Sequence, residues 1–326
     1  MDIDIILQNI SEKVVPPNIT LKEILDIPNY HATLKVQIIN NKIYTNKAIT
    51  EERNIQILNQ LRETVKYYEL PNTIFAYCTQ DHTPDKNCFL FSHAIQPNSN
   101  SKNIPAPCFT FDEFTPTDAI EKIYYDDAII SLYNHASTYM KSFETWEKKT
   151  DTVVFIGTLN DDNDRINNTN FGEIEKVEQI IKNNPYPITR ENYISREALA
   201  QYKYLLHLNG HHGAYSSRLK YLLMTGSLCF YIINHKGHEK PWFEYWMFYE
   251  ELLNSIMITK TTSDCKTVIE HFNNNKEAAY QTANRAFNIV HQLLSKKNVL
   301  LYWKILLNTY SSRFEVKEQY YFVPFL

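Results

Sequence analysis

Apolar positions along the chain follow two different spacings, which predict an alternation of strands and helices. Short runs rich in β-branched and aromatic residues predict a hairpin over 33–45 and strands at 73–79, 108–111, 152–155, 203–208, 227–233 and 255–259. Apolar residues at helical spacing predict helices over 128–148, 171–183, 217–225, 276–295 and 298–313. Strands that alternate with helices are typical of α/β layering.

Local signals mark where three of these elements turn, end or begin. Asn40 and Asn41 tolerate the left-handed backbone that a tight hairpin turn needs. Gly226 is expected to end the helix over 217–225, and Ser263 is expected to cap the start of a later helix.

The length of the chain predicts two domains. At about 100–200 residues per domain, 326 residues exceed what one domain usually holds. A second set of strands opens at Thr152, so the boundary is expected near residue 150, with a first domain over 1–150 and a second beginning at 151.

Composition and charge narrow the classes of partner. Hydrophobic residues make up 44% of the chain and charged residues 21%, as in globular proteins. The 33 basic and 37 acidic residues give a net charge of -4, so neither a nucleic-acid-binding stripe nor a polybasic membrane patch is expected. Small, nearly neutral partners are favoured.

The N-terminal segment and the cysteines indicate the compartment. MDIDIILQN has no basic flank and only a short apolar run, and the most apolar window, 222–233, is too short for a membrane span of roughly 20 residues. The five cysteines include no CxxC pair, so no disulfide framework or zinc ribbon is expected. We expect a cytoplasmic protein with no membrane span. The abundance of asparagine and tyrosine indicates an AT-rich genome, which favours a microbe or a large virus as the source of the protein.

The stretch 201–231 is the most informative for chemistry. An apolar strand leads into a loop with Gly210 and Gly213, and then into a helix whose first turn holds Ser216 and Arg218. Glycines let the backbone approach a ligand closely, and an arginine binds phosphate oxygens through two parallel hydrogen bonds. The pattern indicates a diphosphate site. The alternative is a simple glycine turn with an arginine that pairs with a neighbouring acid.

Several segments share an order and a sequence with one known family. In the C-terminal half these are KYLLHLNG at 203–210, SSR at 216–218, LKYLLMTGSLCFY at 219–231, WFEYW at 242–246, SD at 263–264 and LYW at 301–303. Weaker matches are IPAPCFTFDEF at 104–114 and VVFIGT at 153–158. With these segments the chain resembles the Rumi-type glycosyltransferases of family 90, the protein O-glucosyltransferases and their xylosyltransferase relatives.

The resemblance implies a GT-B architecture, in which two Rossmann-like domains face each other across a cleft. Residues 1–150 would then be the acceptor-side domain, and residues 151–297 would bind the sugar nucleotide. The last segment, 298–326, would carry a helix that crosses back to the first domain.

The resemblance also implies roles for individual residues. Ser216 and Arg218 would hold the diphosphate, Thr158 would contact the donor, and Arg165 would be a second phosphate-binding arginine after a one-residue shift in spacing. Glu244 would accept a hydrogen bond from the ribose; the alternative for Glu244 is a solvated acid on an aromatic-rich edge.

The catalytic base is expected at Asp81. FAYCTQDHTP at 75–84 resembles the family segment in which a strand ends in an aspartate shortly before proline. One carboxylate that removes the acceptor proton is the minimum that inverting glycosyl transfer needs. Asp85 is the alternative base, and a simple turn ahead of Pro84 is the alternative role for Asp81.

Two further patterns suggest metals. Residues 161–164, Asp-Asp-Asn-Asp, resemble the DxD metal site of other glycosyltransferases, and His207, His211 and His212 lie close together in sequence. A solvated acidic loop and loop histidines explain both patterns, and the family resemblance implies no metal for the chemistry. We therefore expect no metal and no cofactor, although a metal-dependent transferase stays an alternative.

The function predicted from the sequence is inverting transfer of glucose or xylose from a UDP-sugar to a hydroxyl acceptor, either a protein serine or a glycan. One departure from the family pattern is Ile156, which stands where the family usually has arginine. It keeps open a second function: a non-catalytic protein of the same fold that binds a sugar nucleotide or a glycan.

Overall fold

The structure is a computed structural model, and it describes most of the chain. The described residues are 1–28, 33–81, 88–96, 102–114, 123–157, 163–174, 178–183, 195–210, 215–233, 241–321 and 323–325. Its α-helices are α1 Ile3–Val14, α2 Leu21–Leu25, α3 Glu52–Tyr67, α4 Tyr125–Ala136, α5 Phe143–Trp146, α6 Asn163–Thr169, α7 Arg196–Leu199, α8 Leu219–Leu223, α9 Glu250–Leu253, α10 Thr262–Asn274, α11 Lys276–Leu293 and α12 Lys296–Ser311. Among the described residues, 3-10 helices cover Phe109–Phe111 and Tyr245–Phe248.

The described strands fall into three sheets. The strands are β1 Thr33–Ile39, β2 Lys42–Thr45, β3 Thr73–Cys78, β4 Phe91–Ser92, β5 Ile104–Pro105, β6 Glu113–Phe114, β7 Ile123–Tyr124, β8 Thr150–Gly157, β9 Glu178–Asn183, β10 Tyr202–Leu208, β11 Leu228–Ile232, β12 Met257–Thr259 and β13 Val323–Pro324. β6 and β7 form a small sheet of their own, and the other strands form one sheet of six and one of five. The prediction of a mixed α/β protein is confirmed.

The chain divides into two compact units, each built from separate stretches of sequence. The first unit contains Met1–Glu113, Trp242–Tyr249 and Leu293–Leu326. The second contains Phe114–Pro241 and Glu250–Gln292. Residues 123–150 belong to the second unit of this division, and the domain boundary expected near residue 150 stays a prediction.

The sheet of the first unit is mixed. Its strand order is β13-β2-β1-β3-β4-β5, with β1 antiparallel to β2 and β3, and with β3, β4 and β5 mutually parallel. Asn40 and Asn41 have φ values of 49° and 60° in the turn between β1 and β2, so the predicted hairpin is confirmed. The parallel strands place their carboxyl ends along one edge of the sheet.

Aromatic side chains form the core of the first unit. The Trp303 ring of α12 lies between 6.2 and 6.3 Å, centroid to centroid, from the rings of Phe75, Tyr77 and Phe91. The buried indole Nε1 of Trp303 donates a hydrogen bond of 3.0 Å to Gln60 Oε1 of α3, which satisfies its one polar group. The C-terminal helix is thus part of this core.

The sheet of the second unit is entirely parallel. Its order is β12-β11-β10-β8-β9. The first strand of this sheet in the sequence, β8, lies between the second and the third, so the strand order reverses at the β8–β10 pair. In open α/β sheets, ligands bind outside the carboxyl ends of the strands at such a reversal.

The core of the second unit lies around Trp146 and a buried lysine. Trp146 Nε1 donates to the Gly226 carbonyl at 3.0 Å, and Lys149 Nζ donates to the Thr225 carbonyl at 2.9 Å and to Ser227 Oγ at 3.2 Å. Gly226 has a φ of +67°, a left-handed conformation that ends the turn after α8 as predicted.

Two element predictions are wrong. The segment 108–111 is a 3-10 helix and not a strand, and Gln60 Nε2 binds the Cys108 carbonyl at 2.8 Å where a strand would need a backbone partner. The segment 171–183 was predicted as a helix, but β9 occupies 178–183 and pairs in parallel with β8. Its backbone conformation comes from that pairing, because the Lys, Glu and Asn content alone favours no strand.

Two helix boundaries also differ from the prediction. The predicted helix over 128–148 is two helices, because α4 ends at Ala136 and Ser142 caps the start of α5. The cap of α10 is Thr261 and not Ser263. Thr261 Oγ1 accepts from the Asp264 amide at 3.1 Å, and Asp264 Oδ2 accepts from the Thr261 amide at 2.9 Å, which is a capping box.

None of the helices in the described part of the chain combines the length and the apolar character that crossing a bilayer requires.

Candidate functional site

Arg218 lies at the strand reversal of the second unit. Its Nη1 donates to the Ile156 carbonyl near the end of β8 at 2.6 Å, and its Nη2 donates to the Leu208 carbonyl at the end of β10 at 3.4 Å. One guanidinium therefore joins the carboxyl ends of the two strands between which ligands bind in this fold.

Ser216 belongs to the same cluster. Arg218 Nε donates to Ser216 Oγ at 3.1 Å, so the two residues predicted to hold a diphosphate are in direct contact. Arg218 occupies the N-cap position of α8, whereas the sequence analysis placed Ser216 and Arg218 in the first turn of a longer helix. Because α8 has only five residues, the positive charge of this cluster comes from Arg218 and not from a helix dipole.

Gly157 is required by the path of the Arg218 side chain. A Cβ atom at residue 157 would lie 2.6 Å from Arg218 Nη1 and 2.7 Å from Phe155 Cζ, both closer than van der Waals contact allows. The guanidinium carbon lies 5.4 Å from the centroid of the Phe155 ring. Ile156 contributes its backbone carbonyl to this cluster, while its side chain supplies no charge.

Several predicted site residues are outside the described part of the chain. Thr158, Gly213 and the alternative base Asp85 are among them, as are His211 and His212 and the acids Asp161 and Asp162. Arg165 lies in α6, but its side chain is not described. The roles given to these residues stay predictions.

Glu244 is a buried carboxyl group of the first unit. Its exposed fraction is 2%, and it immediately precedes the 3-10 helix Tyr245–Phe248. The alternative of a solvated acid is therefore wrong. The Tyr245 hydroxyl has a pKa far above its usual range because it is fully buried, with smaller contributions from Tyr302 and the Glu244 carboxylate. The predicted contact of Glu244 with a ribose stays a prediction.

Asp81 lies just beyond the carboxyl end of β3 in the first unit. Arg53 Nη1 lies 2.9 Å from Asp81 Oδ1, and Arg53 Nη2 lies 3.5 Å from Oδ2. His93 follows the neighbouring parallel strand β4, and its Nε2 lies 3.9 Å from Asp81 Oδ1. The candidate base is thus part of a cluster at the carboxyl edge of β3 and β4.

An aromatic ring supports this cluster. The Arg53 guanidinium carbon lies 4.6 Å from the centroid of the Phe109 ring, and the His93 ring contacts the same ring edge-on at 5.8 Å. Asp81 was recognisable in the sequence, but its three neighbours were not, because they come from α3, from the end of β4 and from the segment after β5.

Comparison with known proteins identifies the family. The model of glycosyl transferase family 90 matches residues 13–321, which is nearly the whole chain. The chain belongs to this family. It is also similar to the O-glucosyltransferase rumi homolog of Aedes aegypti, with 29% identity over 195 residues that cover 54% of this chain. The matched region covers 45% of that relative, so the chain corresponds to less than half of its length.

The segments that suggested family 90 in the sequence lie at both clusters. VVFIGT includes Ile156 and Gly157 of the Arg218 cluster, and KYLLHLNG supplies β10 and its carboxyl end. IPAPCFTFDEF supplies β5 and Phe109, which supports Arg53 and His93. These three segments therefore contribute residues to the carboxyl edges of the two sheets, and the LYW segment lies in α12.

His207 is the described member of the histidine group that suggested a metal site in the sequence. Among the described residues, no group of three His, Cys, Asp or Glu side chains could hold a metal ion. His207 is buried near the end of β10, with its ring edge-on to Tyr231 at 4.5 Å, and the Tyr231 hydroxyl donates to Asn209 Oδ1 at 2.5 Å. His207 is thus packed inside the second unit.

Proposed function

We propose that this family 90 protein is an inverting glycosyltransferase that moves glucose or xylose from a UDP-sugar to a hydroxyl acceptor. The acceptor is a protein serine or a glycan. The observation that carries the proposal is the Arg218–Ser216 cluster at the strand reversal of a parallel sheet, in a chain whose family is defined by glycosyl transfer. The GT-B arrangement implied by the resemblance is part of this proposal.

Donor binding is assigned to the second unit. Arg218 supplies a delocalised positive charge and a planar set of N–H donors that matches diphosphate oxygens, and Ser216 adds a hydroxyl beside it. Contacts with two strand-end carbonyls hold the guanidinium in one orientation, so less conformational entropy is lost on binding. The same charge stabilises the UDP that leaves in the transfer step.

Proton removal is assigned to Asp81. As the acceptor oxygen forms its bond to the anomeric carbon, the Asp81 carboxylate takes the hydroxyl proton. The bond from that carbon to the diphosphate breaks on the opposite side, and UDP leaves with the electron pair, so the configuration inverts. Neither a metal nor a cofactor has a role in the proposed step.

Ile156 favours one second candidate, a protein that binds a sugar nucleotide or a glycan without transfer. At this position the chain supplies a backbone carbonyl and no cation. Incubation with UDP-glucose and UDP-xylose, with protein and glycan acceptors, separates the two functions. Release of UDP together with a glycosylated acceptor supports the transferase, and binding without turnover supports the second candidate.

The base is tested by Asp81→Asn. We expect turnover to fall by about 10²-fold or more while UDP affinity is unchanged, because the substitution removes the proton acceptor and no phosphate contact. Asp85→Asn is the matched control and should keep most of the turnover. Loss of turnover in Asp85→Asn alone would move the base to that residue.

A further inference from the structure

The Asp81 carboxylate is held unequally at its two oxygens. Oδ1 receives the 2.9 Å contact from Arg53 Nη1 and also has His93 Nε2 at 3.9 Å. Oδ2 has the 3.5 Å contact with Arg53 Nη2, at the outer limit of a hydrogen bond. Within the described part of the chain, Oδ1 is therefore the engaged oxygen, and Oδ2 keeps the greater capacity to accept a hydrogen bond.

Arg53 is itself fixed on two sides. Its Nη1 also donates to the Thr79 carbonyl at 3.0 Å, two residues before Asp81. Its guanidinium lies over the Phe109 ring at 4.6 Å, a distance at which the ring attracts the cation. Because Arg53 binds both the backbone and the side chain of the segment after β3, it fixes where the Asp81 carboxylate points.

His93 approaches the carboxylate from a second strand. It is 2% exposed and makes its edge contact with Phe109, so both neighbours of Asp81 rest on one ring. Its 3.9 Å separation from Oδ1 is too long for a direct hydrogen bond and short enough for an ion pair when the imidazole is protonated. His93 thus lies on the Oδ1 side of the carboxylate.

We propose that Arg53 and His93 are positioning residues that engage Oδ1 of Asp81, so that Oδ2 accepts the proton of the acceptor hydroxyl. The proposal rests on the function proposed above. In the step, the acceptor O–H bond breaks, its proton goes to Oδ2, its oxygen bonds to the anomeric carbon, and UDP leaves with the electron pair of the broken bond. The fixed orientation keeps the accepting oxygen in line with the hydroxyl.

A double-mutant cycle tests the role of Arg53. Turnover, KM for the UDP-sugar and thermal midpoint are measured for Arg53→Ala, Asp81→Asn and the double variant. We expect Arg53→Ala to lower kcat by about 10- to 100-fold with an unchanged KM, and to change the residual turnover of Asp81→Asn by less than about twofold. If the ion pair were purely structural, Arg53→Ala would lower kcat by the same factor in the wild type and in Asp81→Asn. That result overturns the proposal.

Arg62→Ala is the matched control for this cycle. Arg62 lies in the same helix, α3, where it contacts Asn59 and the Phe325 ring at a distance from the Asp81 cluster along the helix. Its substitution removes the same charge from the same element, so kcat should stay near the wild-type value. An equal loss of kcat in Arg62→Ala would assign the Arg53 effect to charge or helix stability and would overturn the proposal.

Chemical rescue gives a readout that a structural role does not change. Millimolar guanidinium ion should restore part of the kcat of Arg53→Ala, because it can occupy the place beside Oδ1, and it should not restore the double variant. If Arg53→Ala does not fold, Arg53→Lys replaces it. A lysine keeps the charge but loses the two-point contact, so a reduced kcat supports the proposal and a wild-type kcat overturns it.

His93→Phe tests the second positioning residue. Phenylalanine keeps an aromatic ring against Phe109 and removes the ring nitrogen that faces Oδ1. We expect a loss of kcat of about three- to tenfold that disappears in the Asp81→Asn background. A wild-type kcat in His93→Phe, or an equal loss in both backgrounds, overturns its part in the proposal.

The outcomes separate this inference from the proposed function. If the wild type releases no UDP and glycosylates no acceptor, the proposed function fails. If Asp81→Asn transfers sugar as fast as the wild type, Asp81 is not the base and the positioning roles fail with it, while the transferase function stands. If Asp81→Asn is inactive while Arg53→Ala and His93→Phe keep the wild-type kcat, the transferase function stands and the positioning roles are rejected.

Discussion

Arg218 is bound by backbone carbonyls of two strands before any ligand is present. It was identifiable from the sequence because Ser216, Arg218 and the preceding strand are close together in the chain. Arg53 and His93 could not be identified in that way. Arg53 is 28 residues from Asp81, and the cluster forms only when α3 packs on the sheet and β4 pairs with β3.

Arg218→Ala should weaken UDP binding by about 1.5–3 kcal/mol, the usual contribution of a hydrogen bond to a charged group. Isothermal titration of UDP measures the change. Arg285→Ala on the exposed face of α11 removes an equal charge from the same unit and should leave the UDP affinity unchanged. If Arg218→Ala left the UDP affinity unchanged, the role of Arg218 would be only to connect the ends of β8 and β10.

Lys149 gives the second unit a pH-dependent stability. Complete burial lowers the pKa of Lys149 to about 7 from an ordinary value of 10.5. Between these two values the unfolded chain binds a proton that the folded protein does not, so this residue makes the folded state more stable as pH rises. Below pH 7 both states are protonated, and the destabilisation by the buried charge is complete.

The comparison of wild type with Lys149→Met isolates this effect. The free energy of unfolding of the wild type should rise relative to that of the variant by about 1–2 kcal/mol between pH 7 and roughly pH 8.5. Urea denaturation at several pH values measures it. A constant difference across this range would contradict a lowered pKa for Lys149.

At the scale of elements, the strands with strong β-branched and aromatic runs were predictable. The hairpin of β1 and β2 followed from its two asparagines, and β8, β10 and β11 followed from their apolar runs. β9 was not predictable, because its sequence EQIIKN has only two adjacent apolar residues among polar ones and becomes a strand through pairing with β8. The order of the strands is a tertiary property that no local pattern contains.

The cap of α10 is a difference between sequence and structure that can be measured. Thr261→Ala removes the hydroxyl that binds the Asp264 amide and should lower the free energy of unfolding by about 1 kcal/mol. Ser263→Ala is the matched control, since Ser263 lies inside the helix and should cost less than about half as much. Thermal or urea unfolding compares the two variants. An equal or larger loss of unfolding free energy in Ser263→Ala would show that Ser263 is the cap.

At the scale of the whole chain, each of the two compact units is built from separate stretches of sequence. Length indicated two units, and the resemblance to family 90 implied that the last helix returns to the first of them. The structure assigns Leu293–Leu326 to the first unit, where α12 carries Trp303. Residues 242–249 also belong to the first unit. No change in composition along the sequence marks the two ends of this short segment.

Deletion of residues 293–326 should therefore unfold the first unit while the second unit stays folded. The first unit would lose the Trp303 ring from its aromatic core and also β13 from the edge of its sheet. Limited proteolysis with mass spectrometry should find cleavage throughout 1–113 and protection in 123–157. Protection of 1–113 in the shortened chain would show that α12 is dispensable for this unit.

The return of the C-terminal segment to the first unit also orders events during synthesis. Every residue of the second unit has been made once the ribosome passes Gln292, whereas the first unit still lacks Trp303 and β13 at that moment. The half of the molecule that is translated earliest is thus the half whose interior closes last, with the arrival of α12. We expect nascent chains stalled before residue 293 to expose the apolar face of β3 and α3, where chaperones would have time to bind.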